Sequence, residues 1–412
     1  MNAQPGPARP PIGFVMLHTS PLDVPGTKDA GGMNVVVRAQ AEAIAAQGRE
    51  VRIFTRRSDD DLPDRVELGP RLVVVHLTAG PTRLLAKGDH ELVMEEFGAA
   101  LAAELEREPV ELLHAEHWFS GIAALPVARA AGVPLVQSYH SIAAEPTSPL
   151  ADGERPESPG RLEGERRLAH ESDLVIAVSE AERQTTLERL GGDPSRVTVV
   201  PLGVDTELFH PCDSAECAEQ RDWLARGGRP EVLVVGRLHP LKGFDLAIEA
   251  VASIPVEMRP VLRIVGASPP DDDGYVRGLH EAVLAHGMAA TTSFDGALRR
   301  RELAERIRSA AVVLVPSHSE TFGLVALEAA SSGVPVVARD AGGLREAVVD
   351  GETGMLVSGD DPVPWAAAIM RVLDDPVRAD EMRDAARRHA LTRSWGASAT
   401  RLLGAYDEVL GR

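Results

Sequence analysis

The chain has 412 residues, 44% of them apolar and 25% charged, which is enough for two domains of ordinary size and too many for one small core. Its net charge of −19, from 43 Lys and Arg against 62 Asp and Glu, argues against a nucleic-acid or anionic-membrane surface but leaves room for a local basic pocket. No apolar run approaches the roughly 18 residues that a membrane span needs.

The start, "MNAQPGPARPP", carries too little apolar character for a signal peptide and reads as a loose leader over residues 1–11. Short β-branched runs then alternate with helical stretches. The first half offers "IGFVML" (12–17), "EVRIFT" (50–55), "LVVVHL" (72–77), "VELLHA" (110–115), "PLVQSYH" (134–140), "DLVIAVS" (173–179) and "VTVVPLG" (197–203). Most are continuously apolar, as strands covered on both faces are. Helical segments fall between them, among them 33–47, 118–131 and 180–190. The stretch 204–230 carries no strong strand, so the domain boundary is placed near Thr206. It holds Cys212 and Cys217, the only cysteines, which fit a reducing cytosol at least as well as a disulfide. A cytoplasmic location is therefore expected.

The second half repeats the theme with "EVLVVGRL" (231–238), "VLRIVG" (261–266), "TTSFDG" (291–296), "AVVLVPS" (311–317) and "PVVARD" (335–340), and with helices over 245–253, 301–309 and 322–332. The pattern predicts an α/β protein of two facing Rossmann-like domains, 12–206 and 207–390, with a cleft at the carboxyl ends of the strands. The closing segment 391–412 is expected to cross back onto the first domain.

Three segments carry chemistry. In "SHSETFGLVALEAASSGVPVV", Glu320 precedes a predicted helix and Glu328 lies two turns into it; eight helical residues span about 12 Å, a reach that fits a sugar nucleotide. The helix start, Phe322, Gly323, Leu324 and Val325, offers free N–H groups and a positive dipole end to a diphosphate. In "VGRLHPLKGFD", Arg237 closes a strand and Lys242 opens the next helix; two cations there would neutralise a leaving diphosphate. In "QSYHSIAAE", His140 ends a strand where a cleft residue is expected, and a satisfied core histidine is an equal alternative. Gly31 and Gly32, in "HTSPLDVPGTKDAGGMNVVV", open the first domain's helix without the G-x-G-x-x-G spacing of a dinucleotide site, which counts against a nicotinamide oxidoreductase. "SDDDL" (58–62) and "PPDDDGY" (269–275) read as solvated loops; no zinc spacing occurs, and no metal is expected.

In this order, these segments resemble the retaining glycosyltransferases of family 4, which have the GT-B fold, and the resemblance runs from Ile12 to the last helix. It implies that Glu320 contacts the donor sugar, that Glu328 contacts the ribose, that Arg237 and Lys242 grip the diphosphate, and that the backbone near Leu298 holds the base. It implies a nucleoside diphosphate sugar, UDP- or GDP-linked, as substrate, with no required cofactor, and a possible homodimer. A narrower resemblance, in "HTSPLDVPGTKDAGGMNV", "LHAEHWFSG" and "DGERPESPGRLEGE", is to the mycothiol-pathway members, which transfer N-acetylglucosamine from its UDP donor to inositol 3-phosphate. There a Lys, a Tyr, a Thr and an Arg hold the acceptor phosphate; here these positions are Lys87, His117, Ser141 and Arg161, and Asn34 matches an acceptor-contacting Asn. The Lys-Asn pair usual after the acceptor strand is absent from "HSIAAEPTSPLADG". The resemblance thus implies a small polar or anionic acceptor. Its alternatives are a natural-product relative joining a GDP-octose to the thiol of ergothioneine, or, in another class, an epimerase or non-catalytic binder. It also implies front-face transfer, in which the leaving phosphate takes the acceptor proton and catalysis is placement and charge stabilisation.

Overall fold

The computed structural model describes residues 9–23, 31–212, 227–267 and 273–412. Cys217 and most of the loop between His18 and Ala30 lie outside them. The first sheet has eight strands: β1 (Ile12–Met16), β2 (Val51–Arg56), β3 (Arg65–Gly69), β4 (Leu72–Leu77), β5 (Leu112–Glu116), β6 (Leu135–Ser138), β7 (Leu174–Ala177) and β8 (Val197–Val199). Their order is β3-β4-β2-β1-β5-β6-β7-β8. All pairs are parallel except β3–β4. The second sheet comprises β9 (Glu231–Val235), β10 (Val261–Val265), β11 (Thr292–Phe294), β12 (Val312–Val315), β13 (Val336–Arg339) and β14 (Gly354–Val357), ordered β11-β10-β9-β12-β13-β14 and parallel throughout.

The apolar runs became the central strands because helices cover both sheet faces. All five residues of β1 and all four of β12 are buried. Two strands escaped the pattern. β3 is a charged, partly exposed edge strand, and β14 is half-buried at the opposite edge of the other sheet.

The order of strands reverses at β1/β5 in the first sheet and at β9/β12 in the second. A crevice opens at the carboxyl ends of such a pair, because its two connections leave toward opposite faces. The residues after β1 and β5, and after β9 and β12, are therefore the ones the fold holds at its binding edges.

The last helix, Trp395–Val409, packs on the first domain. Its Ala399, Leu402, Ala405 and Tyr406 share an apolar cluster with Ile12 and Phe14 of β1 and with Val37, Ala41 and Ile44 of the Gly32–Ala46 helix. Leu402 is fully buried in that cluster. Replacing it with Ala should cost about 2–5 kcal/mol of stability, read from urea unfolding; a loss under about 1 kcal/mol would show that the docked helix contributes little.

Candidate active site

After β1 the chain turns through Thr19 and Ser20 before the Gly32–Ala46 helix. Asn34 ties the two together: its amide nitrogen donates to Thr19 Oγ1 (2.7 Å) and to the Ser20 carbonyl (2.6 Å), and its Oδ1 accepts from the Gly31 N–H (3.1 Å). The polar atoms that were expected to meet an acceptor thus brace the loop. A Cβ added at Gly31 or Gly32 would meet nothing within 4 Å, so packing does not demand glycine there. The space beside them belongs to the cleft, which both residues line.

β5 ends at Glu116 and β6 at Ser138, and His117 and His140 follow them. Both histidines have positive φ, 72° and 61°, the non-glycine residues among those described that do. Such strain concentrates where the chain must aim a side chain. His140 Nε2 meets Glu116 Oε2 at 2.5 Å. Behind Glu116 lies a buried chain: His114 Nε2 is 3.7 Å from Glu116 Oε1 and 2.8 Å from Ser138 Oγ, while His114 Nδ1 meets the Tyr406 hydroxyl at 2.5 Å. The last helix thereby reaches the back of His140 through one histidine and one carboxylate. His140 is therefore neither a free cleft residue nor a simple core histidine: it lines the cleft while its Nε2 is fixed from behind.

His117 is buried and neither ring nitrogen has a hydrogen-bond partner. Its ring lies 4.4 Å from that of His18, whose Nδ1 is also unpaired. Burial first, then the charges of Lys87, His90, Arg161 and His140 on His18 and those of His18, Arg161, Lys87 and His140 on His117, hold both histidines well below the usual range, so both are neutral at pH 7.

Lys87, Ser141 and Glu154 complete this wall. Lys87 Nζ is 3.3 Å from Glu154 Oε1, and the Ser141 hydroxyl donates to Glu154 Oε2 at 3.0 Å. Arg161 is fully buried beneath them and does not line the cleft. Its Nε donates to Glu165 (2.7 Å), its Nη1 pairs with Glu157, and its Nη2 donates to the Ser141 carbonyl (3.0 Å) and hydroxyl (2.9 Å). Arg161, expected to touch the acceptor, has its N–H groups committed to Glu157, Glu165 and Ser141, and meets the cleft through Ser141.

The second domain supplies the opposite wall. Arg237 lies two residues past β9. Lys242 ends a short 3₁₀ turn, Pro240–Lys242, rather than opening the helix, which begins at Phe244. Lys242 Nζ donates to Glu320 Oε2 at 2.7 Å. The helix after β12 is Leu324–Ser331, not 322–332: Gly323 stands before it with φ 91°, a left-handed conformation that the helix cannot extend through. Glu328 is thus one turn into the helix instead of two, and Glu320 sits in a loop. A Cβ on Gly323 would meet Leu344 Cδ2 at 2.7 Å, so the glycine is needed by the fold itself and not only for ligand approach. Glu328 is buried and paired with Arg300. Burial pushes its carboxyl up, against the pull of Arg300.

Hydrogen bonds cross between the domains at the cleft floor. Thr321 Oγ1 donates to the His140 carbonyl (3.0 Å), Ser179 Oγ donates to the Thr321 carbonyl (2.6 Å), and the Glu180 N–H donates to Glu346 (2.8 Å). The cavity between the walls measures about 590 Å³, within the range of small-molecule and cofactor sites. It brings together Gly31, Gly32, Asn34, Lys87, His117, His140, Ser141, Arg237, Lys242, Leu298, Glu320, Phe322, Gly323, Leu324, Val325 and Glu328, which is the expected set apart from Arg161.

The comparisons with known proteins agree with this architecture. The pattern described as Glycosyltransferase Family 4 matches residues 30–208, and that described as Glycosyl transferases group 1 matches 217–389. The D-inositol 3-phosphate glycosyltransferase of Nocardiopsis dassonvillei is 40% identical over 96% of this chain and 94% of its own; that of Thermobispora bispora is 40% identical over 97% and 95%. The chain belongs to glycosyltransferase family 4. A solved structure, sucrose-phosphate synthase from Thermosynechococcus elongatus, superposes with a TM-score of 0.87 at 31% identity, covering 98% of this chain and all of that one. This family 4 glycosyltransferase therefore has the GT-B fold. No helix among its described residues is long and apolar enough to cross a membrane.

Several cleft residues carried no sequence signal: His18, Glu154, Glu182 and Arg300. Glu182 lies on the helix Glu180–Arg189, is buried, and accepts the Val178 N–H at 2.7 Å. Burial pushes its carboxyl up to about 7. A folded pKa above the unfolded value means that the folded state holds the proton longer, so the stabilising share of Glu182 is full below about pH 4.5 and is lost as pH rises through about 7. Glu182→Gln removes that titration. Between about pH 5 and pH 8 the variant should gain on the order of 2–3 kcal/mol relative to the parent protein. Urea unfolding at both pH values checks it; an unchanged difference would show that Glu182 does not titrate in this range.

Proposed function

We propose that this glycosyltransferase transfers a sugar from a nucleoside diphosphate donor to inositol 3-phosphate with retention, with UDP-N-acetylglucosamine as the donor implied by its likeness to the mycothiol-pathway members. The observation that carries the reading is the pairing of two walls across one cavity: Arg237, Lys242 and a helix N-terminus on one side, Lys87, Ser141 and two neutral histidines on the other. The names of the relatives at about 40% identity support a phosphorylated cyclitol over a thiol acceptor, and transfer over epimerisation or simple binding.

In this reading the diphosphate sits between Arg237, Lys242 and the N–H groups at Leu324 and Val325. Glu320 holds the sugar and Glu328 the ribose, with the base against the backbone near Leu298. As the bond from the anomeric carbon to the diphosphate oxygen breaks, charge grows on the leaving phosphate and is stabilised by groups already in place. The acceptor oxygen attacks the same face, and its proton passes to a leaving phosphate oxygen. His140, fixed by Glu116, positions the donor sugar. The two cations and the helix end supply the charge stabilisation, so no metal is required. A homodimer and a cytoplasmic location belong to the same reading.

Incubation with UDP-N-acetylglucosamine and inositol 3-phosphate should give UDP and an α-linked product, identified by NMR; a β-linked product would overturn front-face transfer. Lys242→Ala and Glu320→Gln should each lower kcat roughly 10²–10³-fold, and unchanged turnover would reject their donor roles. Turnover should persist after dialysis against EDTA; loss restored by a divalent cation would overturn the metal-free reading.

A further inference from the structure

Groups from both domains converge on one carboxylate. Glu154 Oε1 lies 3.3 Å from Lys87 Nζ and 3.6 Å from Arg237 Nη2 of the opposite wall; Oε2 lies 3.0 Å from the Ser141 hydroxyl and 3.6 Å from Arg161 Nη1. Burial opposes ionisation of Glu154, but Lys87, Arg161, Arg237 and Ser141 together outweigh it and hold the carboxyl well below its usual range. It is an anion at every working pH, seated in the middle of a cation cluster.

The backbone under Glu154 is pinned while its side chain projects into the cleft. Gly153, with φ 131°, makes a turn that glycine alone accommodates: an added Cβ would meet the Ile142 carbonyl at 2.8 Å. The Glu154 carbonyl accepts the Ala144 N–H at 2.9 Å, and residues 143 and 154 form a bridge. On the same cavity wall, the buried ring nitrogens of His117 are unpaired. A polar group this buried without a partner costs free energy, which a ligand oxygen would recover. The pocket therefore combines cations already neutralised by the chain itself with neutral donors that the chain leaves unsatisfied.

We infer that Glu154 is a resident anion which the acceptor's phosphate must displace, and that it sets the enzyme's selectivity for that phosphate. The inference rests on the reading of this wall as the acceptor side. A phosphate and a carboxylate cannot share Lys87 and Ser141 at about 3 Å without strong like-charge repulsion, so one leaves. When Glu154 swings out, Lys87 turns to the phosphate, Ser141 and His117 donate to its oxygens, and Arg237 is released toward the donor wall. Acceptor and donor are thereby coupled, and the coupling works in both directions.

The test uses the full chain, with inorganic phosphate and UDP as probes and calorimetry as readout. Glu154→Gln keeps the shape and removes the competing charge; it should bind phosphate about tenfold more tightly than the parent protein, and KM for inositol 3-phosphate should fall by about the same factor. Glu154→Asp keeps the charge but draws it back by one methylene, so it should fall between the two and guards against a folding defect. In the parent protein phosphate should tighten UDP binding, and in Glu154→Gln that effect should vanish. Unchanged or weaker phosphate binding in both variants overturns the inference, whatever the acceptor. Tighter phosphate binding without any transfer to inositol 3-phosphate leaves the inference standing and overturns the proposed acceptor. Transfer with unmoved phosphate affinity does the reverse.

Discussion

A cation drawn into a narrow cleft loses part of its hydration, and neighbouring charge has to offset the loss. In this molecule the chain supplies that charge itself. Lys242 rests on Glu320, Arg300 on Glu328, Arg161 on Glu157 and Glu165, and Glu154 serves both Lys87 and Arg237. The cleft is therefore lined and backed by ion pairs. The pairs of Lys242, Lys87 and Arg237 hold their cations on the cleft wall, so the geometry is organised before any substrate arrives. The same pairing sets the cost of binding, since an incoming phosphate replaces a carboxylate as well as water. For a protein with a net charge of −19 this local arrangement decides which anions are admitted, because the overall field repels them.

The fold delivers these pairs by a simple route. Parallel strands covered on both faces leave only their ends for chemistry, and the reversals at β1/β5 and β9/β12 open a crevice at each sheet's carboxyl edge. His117 and His140 take left-handed backbone immediately beyond β5 and β6, which turns their rings into the cleft. The last helix closes the arrangement from behind. Its Tyr406 meets His114, and His114 sits beside Glu116, which holds His140. An apolar docking surface and a buried polar chain thus share one helix.

The apolar strands were legible because burial on both faces writes an unbroken apolar run, and the edge strands β3 and β14 were not, because an edge needs only one covered face. Glu320, Glu328, Arg237 and Lys242 were legible through their family spacing, but their local setting was not. Nothing in "SETFGLVALE" announces that Gly323 takes a positive φ and delays the helix by two residues. By its family position Arg161 reads as an acceptor contact, and its burial together with Glu165 was not legible, since a sequence cannot show that three carboxylates fold around one guanidinium. Glu154 was hidden for the opposite reason: "ADGERPE" looks like an exposed turn, and only the contact with Arg237, 83 positions away in sequence, gives it meaning.

Reactivity and selectivity are built from different parts of this cleft. The proposed front-face transfer demands that acceptor oxygen, anomeric carbon and leaving oxygen be held within about 3–3.5 Å of one another, so the two domains must be in register where the sugar would lie. Thr321 provides that register, because its hydroxyl reaches the His140 carbonyl while its own carbonyl receives Ser179. It is the neighbour of Glu320, so the loop proposed to meet the sugar is fixed directly to the opposite domain. The Glu154 cluster lies on the same interface but is tied through side chains alone, at 3.6 Å to Arg237. Short backbone-level bonds resist displacement, whereas a long side-chain ion pair exchanges partners readily. The reaction geometry therefore rests on the rigid contact and the choice of anion on the exchangeable one, through which a change of occupant in the acceptor pocket is felt at the donor wall.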